Sequence, residues 1–161
     1  MEKATFAAGR FWGVEAAFRE LEGVTATRVG YTGGHADNPS YKQVCGGRTG
    51  HAEAVEVTFD PERISYEELL DVFWKVHDPT TKNRQGWDIG HQYRSAVFFH
   101  SPEQEEAARA SAARIDEGLR WPKKVTTEIV PASTFWEAED YHQRYLEKQG
   151  RATCTVALRA S

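Results

Sequence analysis

The sequence has only two cysteines, Cys45 and Cys154, among its 161 residues. Two are too few for the disulfide frameworks that stabilise small secreted proteins. No stretch reaches the run of about 18 apolar residues needed to cross a bilayer, and the region after Met1 has no long apolar segment typical of a secretory signal. We therefore expect a cytoplasmic protein that is not embedded in a membrane.

Basic residues are in the minority, with 20 Lys and Arg against 24 Asp and Glu. Nucleic-acid-binding proteins usually present a basic face, so we expect no nucleic-acid partner. The six histidines show no close pair with metal-ligand spacing, and no glycine-rich phosphate-binding motif occurs. The sequence therefore predicts neither a metal site nor a cofactor.

The remaining composition is that of a folded globular protein, with 40% hydrophobic and 27% charged residues. The length suits one domain, which we assign to residues 1–161. Apolar periodicity and turn signals predict an order of β-α-β-β-α-β followed by α-β-α. The first six elements match the ferredoxin-like split βαβ plan, so we expect an α+β two-layer sandwich with a C-terminal extension. Strands are predicted at 4–8, 24–31, 52–59, 93–100 and 125–130, helices at 11–21, 65–76, 102–117 and 138–148, and a long loop at 78–92.

The most specific local feature is the segment Gly9-Arg10-Phe11-Trp12-Gly13, where the first strand turns into the first helix. Backbone N–H groups at a helix N-terminus favour anions. A cation at that place opposes the helix dipole, and a carboxylate partner for Arg10 would offset this; the alternative is that Arg10 is simply solvated. Phe11 and Trp12 are adjacent and cannot both face one core, which predicts that one of them lines a surface pocket.

This segment resembles the Gly-Cys-Phe-Trp-Gly signature of the peptide methionine sulfoxide reductase A family, with Arg10 at the cysteine position. The resemblance continues in order from about residue 4 to residue 150. Its further motifs are Val29-Gly30-Tyr31-Thr32-Gly33-Gly34, Thr49-Gly50-His51-Ala52-Glu53, His77-Asp78-Pro79-Thr80, Gln85-Gly86 with Asp88, Gln92-Tyr93-Arg94-Ser95 and Glu139-Asp140-Tyr141-His142-Gln143.

The resemblance implies a sulfoxide pocket. In the family a thiolate at the position of Arg10 attacks the sulfoxide sulfur, and the sulfenic acid that results is resolved by a second cysteine near the C-terminus. Cys154 matches that second region loosely. The implied roles are an apolar cage for the substrate methyl at Phe11 and Trp12, groups that hold and protonate the oxygen at Tyr31, Glu53, Asp88 and Tyr93, and a position near the pocket at His142.

The replacement of the nucleophile decides the interpretation. A guanidinium stays protonated and has no lone pair available for attack. Loss of a nucleophile costs on the order of 10^6-fold in such sites. Neither Cys45 nor Cys154 is predicted at the helix N-terminus that activates a thiolate. We therefore expect no methionine sulfoxide reductase activity from this chain.

Trp87 and His91 also depart from the family pattern, which has a small or polar residue or proline at the first position and threonine at the second. These changes beside retained carboxyl groups favour a re-used pocket. In that hypothesis Arg10 clamps a substrate carboxylate and Trp87 stacks on an aromatic ring. Burial raises the pKa of Glu53 while Arg10 lowers it, so the net direction stays open. The acid–base candidates are Glu53, Asp88, Tyr93 and His91.

The main hypothesis is therefore a cofactor-free, non-redox enzyme of secondary metabolism acting on a small, carboxylate-bearing aromatic substrate. An amine–carbonyl condensation of the Pictet–Spengler type is one such reaction. Two alternatives stay open. One is a reductase that is inactivated at its nucleophile and still binds methionine sulfoxide. The other is a non-catalytic binding module.

Overall fold

The computed structural model describes residues 1–145, which form a mixed sheet with helices packed on it. No helix in this range is long and apolar enough to cross a bilayer. The strands are β1 (Glu2–Ala8), β2 (Val24–Thr32), β3 (Ala52–Phe59), β4 (Arg84–Gln85), β5 (Asp88–Ile89), β6 (Ser95–Phe99), β7 (Glu128–Pro131) and β8 (Trp136–Glu137), the helices are α1 (Phe11–Arg19), α2 (Tyr41–Cys45), α3 (Tyr66–Lys75) and α4 (Pro102–Glu117), and 3-10 turns lie at His91–Tyr93 and Asp140–His142.

The main sheet has the strand order β7-β6-β1-β3-β2-β8. Its four central strands are antiparallel neighbours, and β3 lies between β1 and β2. This is the split βαβ arrangement, so the α+β, ferredoxin-like prediction is confirmed. β7 extends one edge in parallel with β6, and β8 extends the other edge antiparallel to β2.

Two helix starts follow from capping residues that the sequence displays. Ser65 accepts a hydrogen bond from the Glu68 backbone N–H while the Glu68 side chain accepts from Ser65, which closes a capping box. Ser101 caps α4, and Pro102 occupies its first position. Both helices therefore begin where the sequence predicts.

The helix-covered face of the sheet carries the main apolar core. The Phe6 ring stacks on Phe18 and on Phe73, each at 5.1 Å between ring centroids. Side chains alternate along β3, so Glu53 lies on the same face as the core residue Val55. A carboxyl group is thus placed at the edge of an apolar core, beside the first turn of α1.

Several predicted boundaries are wrong, and tertiary contacts explain the clearest case. The region predicted as helix 138–148 has β8 before it and a 3-10 turn at Asp140–His142, while residues 146–148 lie outside the described part. A regular helix does not run through Glu139 and Gln143, because these side chains bond to β2 and α2. The predicted loop 78–92 contains the β4–β5 hairpin, the predicted strand 93–100 starts at Ser95, and α2 was not predicted.

Candidate active site

The turn between β1 and α1 passes close to β4. Gly9 has a φ of +92°, and a Cβ atom there would lie 2.9 Å from the Gln85 side chain. Glycine is therefore required at this point. Arg10 follows as the N-cap of α1 and makes no side-chain cap hydrogen bond. The backbone N–H of Phe11 is instead satisfied by Glu53 Oε1, at 3.1 Å.

Glu53 carries a buried carboxyl group with one oxygen atom left unbonded. The residue is 1% exposed, and its Oε2 atom has no hydrogen-bond partner. Burial raises the pKa of Glu53 to about 8, against the lowering effects of the Phe11 N–H and Arg10, and Asp88 adds to the increase. The direction that the sequence left open is therefore upward. At neutral pH Glu53 is mainly protonated and offers an O–H donor that is not yet used.

Arg10 has a carboxylate partner that offsets the helix dipole. Its Nε atom lies 2.8 Å from Asp88 Oδ2, and its Nη2 atom donates to Asp88 Oδ1 at 2.9 Å. Asp88 opens β5, and the hairpin is anchored by Gln85, whose side chain bonds the backbone N–H and carbonyl of Asp78 at 2.9 and 2.6 Å. Asp88 thus fills the place that the main sequence hypothesis gave to a substrate carboxylate.

Aromatic side chains form the wall next to this pair. Phe11 is buried and Trp12 is half-buried. The Trp12 indole N–H donates to His142 Nδ1 at 2.9 Å, and the His142 ring lies 4.4 Å from that of Tyr41. Burial lowers the pKa of His142, so its imidazole is neutral and the proton resides on Nε2. That Nε2 atom is buried without a hydrogen-bond partner.

Glu139, to which the sequence analysis gave no role, accepts two hydrogen bonds beside this site. The Tyr31 hydroxyl donates to Glu139 Oε1 at 2.9 Å, and the Tyr41 backbone N–H donates to Glu139 Oε2 at 3.0 Å. Glu139 therefore fixes α2 to β2 and accepts the hydrogen bond of the Tyr31 hydroxyl, which makes none to Glu53 Oε2. The available signal for α2 was the Ser40–Gln43 capping box.

Cys45 ends α2 and is exposed. Burial raises the pKa of its thiol, while Tyr41, Tyr93 and Arg10 lower it. Burial raises the pKa of Tyr93 to about 12, so its hydroxyl stays protonated at neutral pH. The sequence analysis did not predict α2, because a five-residue helix is too short to show a periodic pattern.

Trp87 is not part of the aromatic wall. Its side chain is 88% exposed because it lies at the turn of the β4–β5 hairpin. Gln85 and Asp88 form the strand pair that closes this turn. The predicted place of Trp87 in the pocket, stacked on an aromatic substrate ring, is therefore wrong.

His91 is half-buried beside the hairpin. Its Nε2 atom has no partner, and no hydrogen bond in residues 1–145 joins its ring to Glu53 or Asp88. The structure therefore does not bring it into the acid–base group predicted from the sequence. Within the same residues, no group of three or more His, Cys, Asp or Glu is placed to hold a metal ion.

Comparison with known proteins gives a consistent relationship. The sequence profile of the family described as peptide methionine sulfoxide reductase matches residues 2–161. The chain belongs to the peptide methionine sulfoxide reductase family. A peptide methionine sulfoxide reductase of Methanothermobacter thermautotrophicus is 61% identical, over 95% of this chain and 90% of its own. One from Acidobacterium capsulatum is 56% identical, over 97% of this chain and 100% of its own.

A solved structure extends the same relationship to three dimensions. Methionine sulfoxide reductase A of Corynebacterium diphtheriae superposes with a TM-score of 0.86 at 40% identity, covering 92% of this chain and 75% of that one. The hypothesis of a condensation enzyme is therefore wrong, because reductases match over nearly the whole chain. The alternative, a sulfoxide reductase pocket altered at its nucleophile, agrees better with these findings.

Proposed function

We propose that this reductase-family pocket binds methionine sulfoxide, and that Arg10 stands where the family carries its nucleophilic cysteine. The observation that carries this proposal is the unpartnered Oε2 of the buried Glu53. A sulfoxide oxygen is a strong hydrogen-bond acceptor, and a protonated carboxyl group is the matching donor. A pKa of about 8 keeps that donor present at neutral pH.

The surroundings of Glu53 match the remaining parts of the ligand. The half-buried Trp12 offers apolar ring surface for the S-methyl group, as the family resemblance implies, and the buried Phe11 ring packs beside it. An unsatisfied buried polar group costs about 1–3 kcal/mol, which a ligand regains by accepting the free O–H. Methionine lacks the oxygen and regains nothing. The pocket therefore discriminates between two ligands that differ by one atom.

Arg10 limits the chemistry that a bound sulfoxide can undergo. Its guanidinium has no lone pair with which to attack sulfur, and both its Nε and Nη2 atoms are committed to Asp88. The N-terminus of α1 therefore holds an ion pair where a thiolate would profit from the helix dipole. We propose that the protein recognises the oxidised side chain and does not reduce it through position 10.

Calorimetry with N-acetyl-methionine sulfoxide amide at pH 7 tests this proposal. We expect the sulfoxide to bind about 5- to 150-fold more tightly than the corresponding methionine amide, the affinity ratio that equals one regained hydrogen bond. Both sulfoxide epimers are measured, since a shaped pocket distinguishes them. Glu53→Gln retains an N–H donor and should keep the preference, whereas Glu53→Leu should abolish it. Equal affinity for sulfoxide and sulfide in the parent protein would contradict the proposal.

A further inference from the structure

Glu15 is a second buried carboxyl group, in the second turn of α1, and it is 1% exposed. Its Oε2 atom accepts a hydrogen bond from Thr27 Oγ1 at 2.8 Å, and its Oε1 atom accepts from the backbone N–H of Arg144 at 2.7 Å. Thr27 belongs to β2, whereas Arg144 follows the 3-10 turn at Asp140–His142. One carboxyl group therefore joins α1, the sheet and the segment after that turn.

The backbone at Arg144 needs such a support. Its φ is +53°, in the left-handed region that residues other than glycine rarely adopt, and such a conformation persists where surrounding contacts hold it. The side chain of Gln143 fixes the preceding residue, since it accepts from the Val29 N–H at 2.8 Å and donates to the Val29 carbonyl at 2.9 Å. The direction of the chain after Gln143 therefore depends on the bond from the Arg144 N–H to Glu15.

That direction places Tyr145 on Trp12. The two rings stack with 4.4 Å between their centroids and 24° between their planes, and both pack against Ala16 of α1. The Trp12 indole N–H also donates to His142 Nδ1 at 2.9 Å. Two residues of the segment 142–145 thus fix the ring that the proposed function assigns to the S-methyl group.

We infer that Glu15 is a positioning residue of the sulfoxide pocket, which holds Arg144 so that Tyr145 stacks on Trp12. The inference rests on the proposed sulfoxide binding and assigns it a residue that acts through its neighbours. Without this hold the Trp12 ring occupies several orientations, and only a fraction of the molecules presents the binding wall. The apparent affinity falls by that fraction.

Glu15→Leu and Glu15→Gln form a matched pair for the test in the full chain. The glutamine carbonyl accepts from the Arg144 N–H and its amide donates to the Thr27 hydroxyl oxygen, whereas leucine accepts from neither. In calorimetry at pH 7, Glu15→Leu should bind N-acetyl-methionine sulfoxide amide about tenfold more weakly, which corresponds to a competent fraction of about one tenth. Glu15→Gln should bind as the parent does. The affinity for the methionine amide should fall by the same factor, because the preference for the sulfoxide depends on Glu53.

NMR signals of the Trp12 indole, identified by their loss in Trp12→Phe, report the position of the ring without ligand. The ring current of Tyr145 acts on these signals. Glu15→Leu and Tyr145→Leu should therefore move them in the same direction, and Glu15→Gln should leave them in place. The double variant Glu15→Leu with Tyr145→Leu should bind the sulfoxide no more weakly than either single variant, because both remove the same contact.

Ser111→Ala is the control for a loss of stability alone. It removes the acceptor of a buried hydrogen bond from Trp74 Nε1, at 2.6 Å, which involves none of residues 142–145. It should lower the Tm and leave both the sulfoxide affinity and the Trp12 signals unchanged. Thr27→Val removes one of the two bonds to Glu15 and keeps the shape of the side chain, so it should show both changes to a smaller extent and replaces Glu15→Leu if that variant does not fold.

The outcomes separate this inference from the binding proposal. If Glu15→Leu, or Thr27→Val in its place, lowers the Tm and leaves the affinity and the Trp12 signals as in the parent, Glu15 is only structural. The inference is then overturned and the proposed function stands. If Glu15→Gln loses as much affinity as Glu15→Leu, the two hydrogen bonds do not position the wall and the inference is also overturned. Absence of sulfoxide binding by the parent overturns the proposed function and this inference with it.

Discussion

Arg10→Cys is expected to raise methionine sulfoxide reduction, with dithiothreitol as reductant, by about 10^3-fold or more over the parent protein. Loss of a nucleophile costs on the order of 10^6-fold, and most of that deficit is restored when a thiol returns to the reacting position. The new cysteine would occupy the N-cap of α1, where the present residue makes no side-chain cap hydrogen bond. That position lowers a thiol pKa and favours the reactive thiolate.

The serine variant is the matched control for this reversion. Arg10→Ser removes the same ion pair with Asp88 and has nearly the same shape as cysteine, yet supplies no thiolate. Its activity should remain at the level of the parent. The double variant Arg10→Cys with Cys45→Ser should keep the gain, which assigns it to position 10. If Arg10→Cys stays as inactive as Arg10→Ser, the pocket does not hold a sulfoxide at the end of α1.

The position of Trp87 bears on the size of the gain. A tryptophan inside the pocket would have limited a restored reductase to weak activity. Because the side chain is 88% exposed at the hairpin turn, it takes no space from the ligand. The single reversion is therefore sufficient in our account, and no change at position 87 is required with it.

Glu53→Gln in the Arg10→Cys background should lower kcat by about 10^2- to 10^4-fold, the contribution of a general acid, while KM changes little. The amide still donates a hydrogen bond to the sulfoxide oxygen, so binding persists. It has no proton to release to the oxygen as the sulfur–oxygen bond weakens. Steady-state kinetics of methionine release, with both parameters determined, measures this separation.

Glu56 provides the control for this second experiment. It lies on the same strand, but its carboxylate is paired with Arg28 Nε at 2.7 Å and has no contact with the pocket. Glu56→Gln in the Arg10→Cys background should leave kcat unchanged. A rise in KM without a fall in kcat for Glu53→Gln would show that Glu53 only binds the substrate. The proton-transfer role would then be wrong.

The strands and long helices followed from local signals, whereas the last segment did not. Alternating residues at 52–59 predicted β3, and Ser101 with Pro102 predicted the start of α4. In the region of Glu139, the helical spacing of apolar residues was a false signal. Hydrogen bonds from the Tyr31 hydroxyl and the Tyr41 N–H to that carboxylate favour the short 3-10 turn at Asp140–His142 over a helix that begins at residue 138. Such long-range contacts produce no periodic pattern in the sequence.

The candidate site was predictable where chemistry is local to a motif. The helix dipole at Arg10 implied a carboxylate partner, and Asp88 provides it within the chain. The sequence could not show whether the partner of Arg10 is a carboxylate of the protein or of a substrate. That choice depends on where the β4–β5 hairpin places Asp88 in the fold. The same limit applied to α2, a five-residue helix that is too short for periodicity to reveal.

The titration of Glu53 with and without ligand tests the central claim most directly. In ¹³C NMR, the carboxyl resonance of Glu53, identified by its loss in Glu53→Gln, should titrate with a pKa of about 8 in the free protein. A sulfoxide that accepts the carboxyl proton's hydrogen bond stabilises the neutral form, so saturation with N-acetyl-methionine sulfoxide amide should move the titration to higher pH. By linkage, sulfoxide affinity should fall as pH rises above that value. A resonance that titrates at the same or a lower pH after saturation would contradict the account.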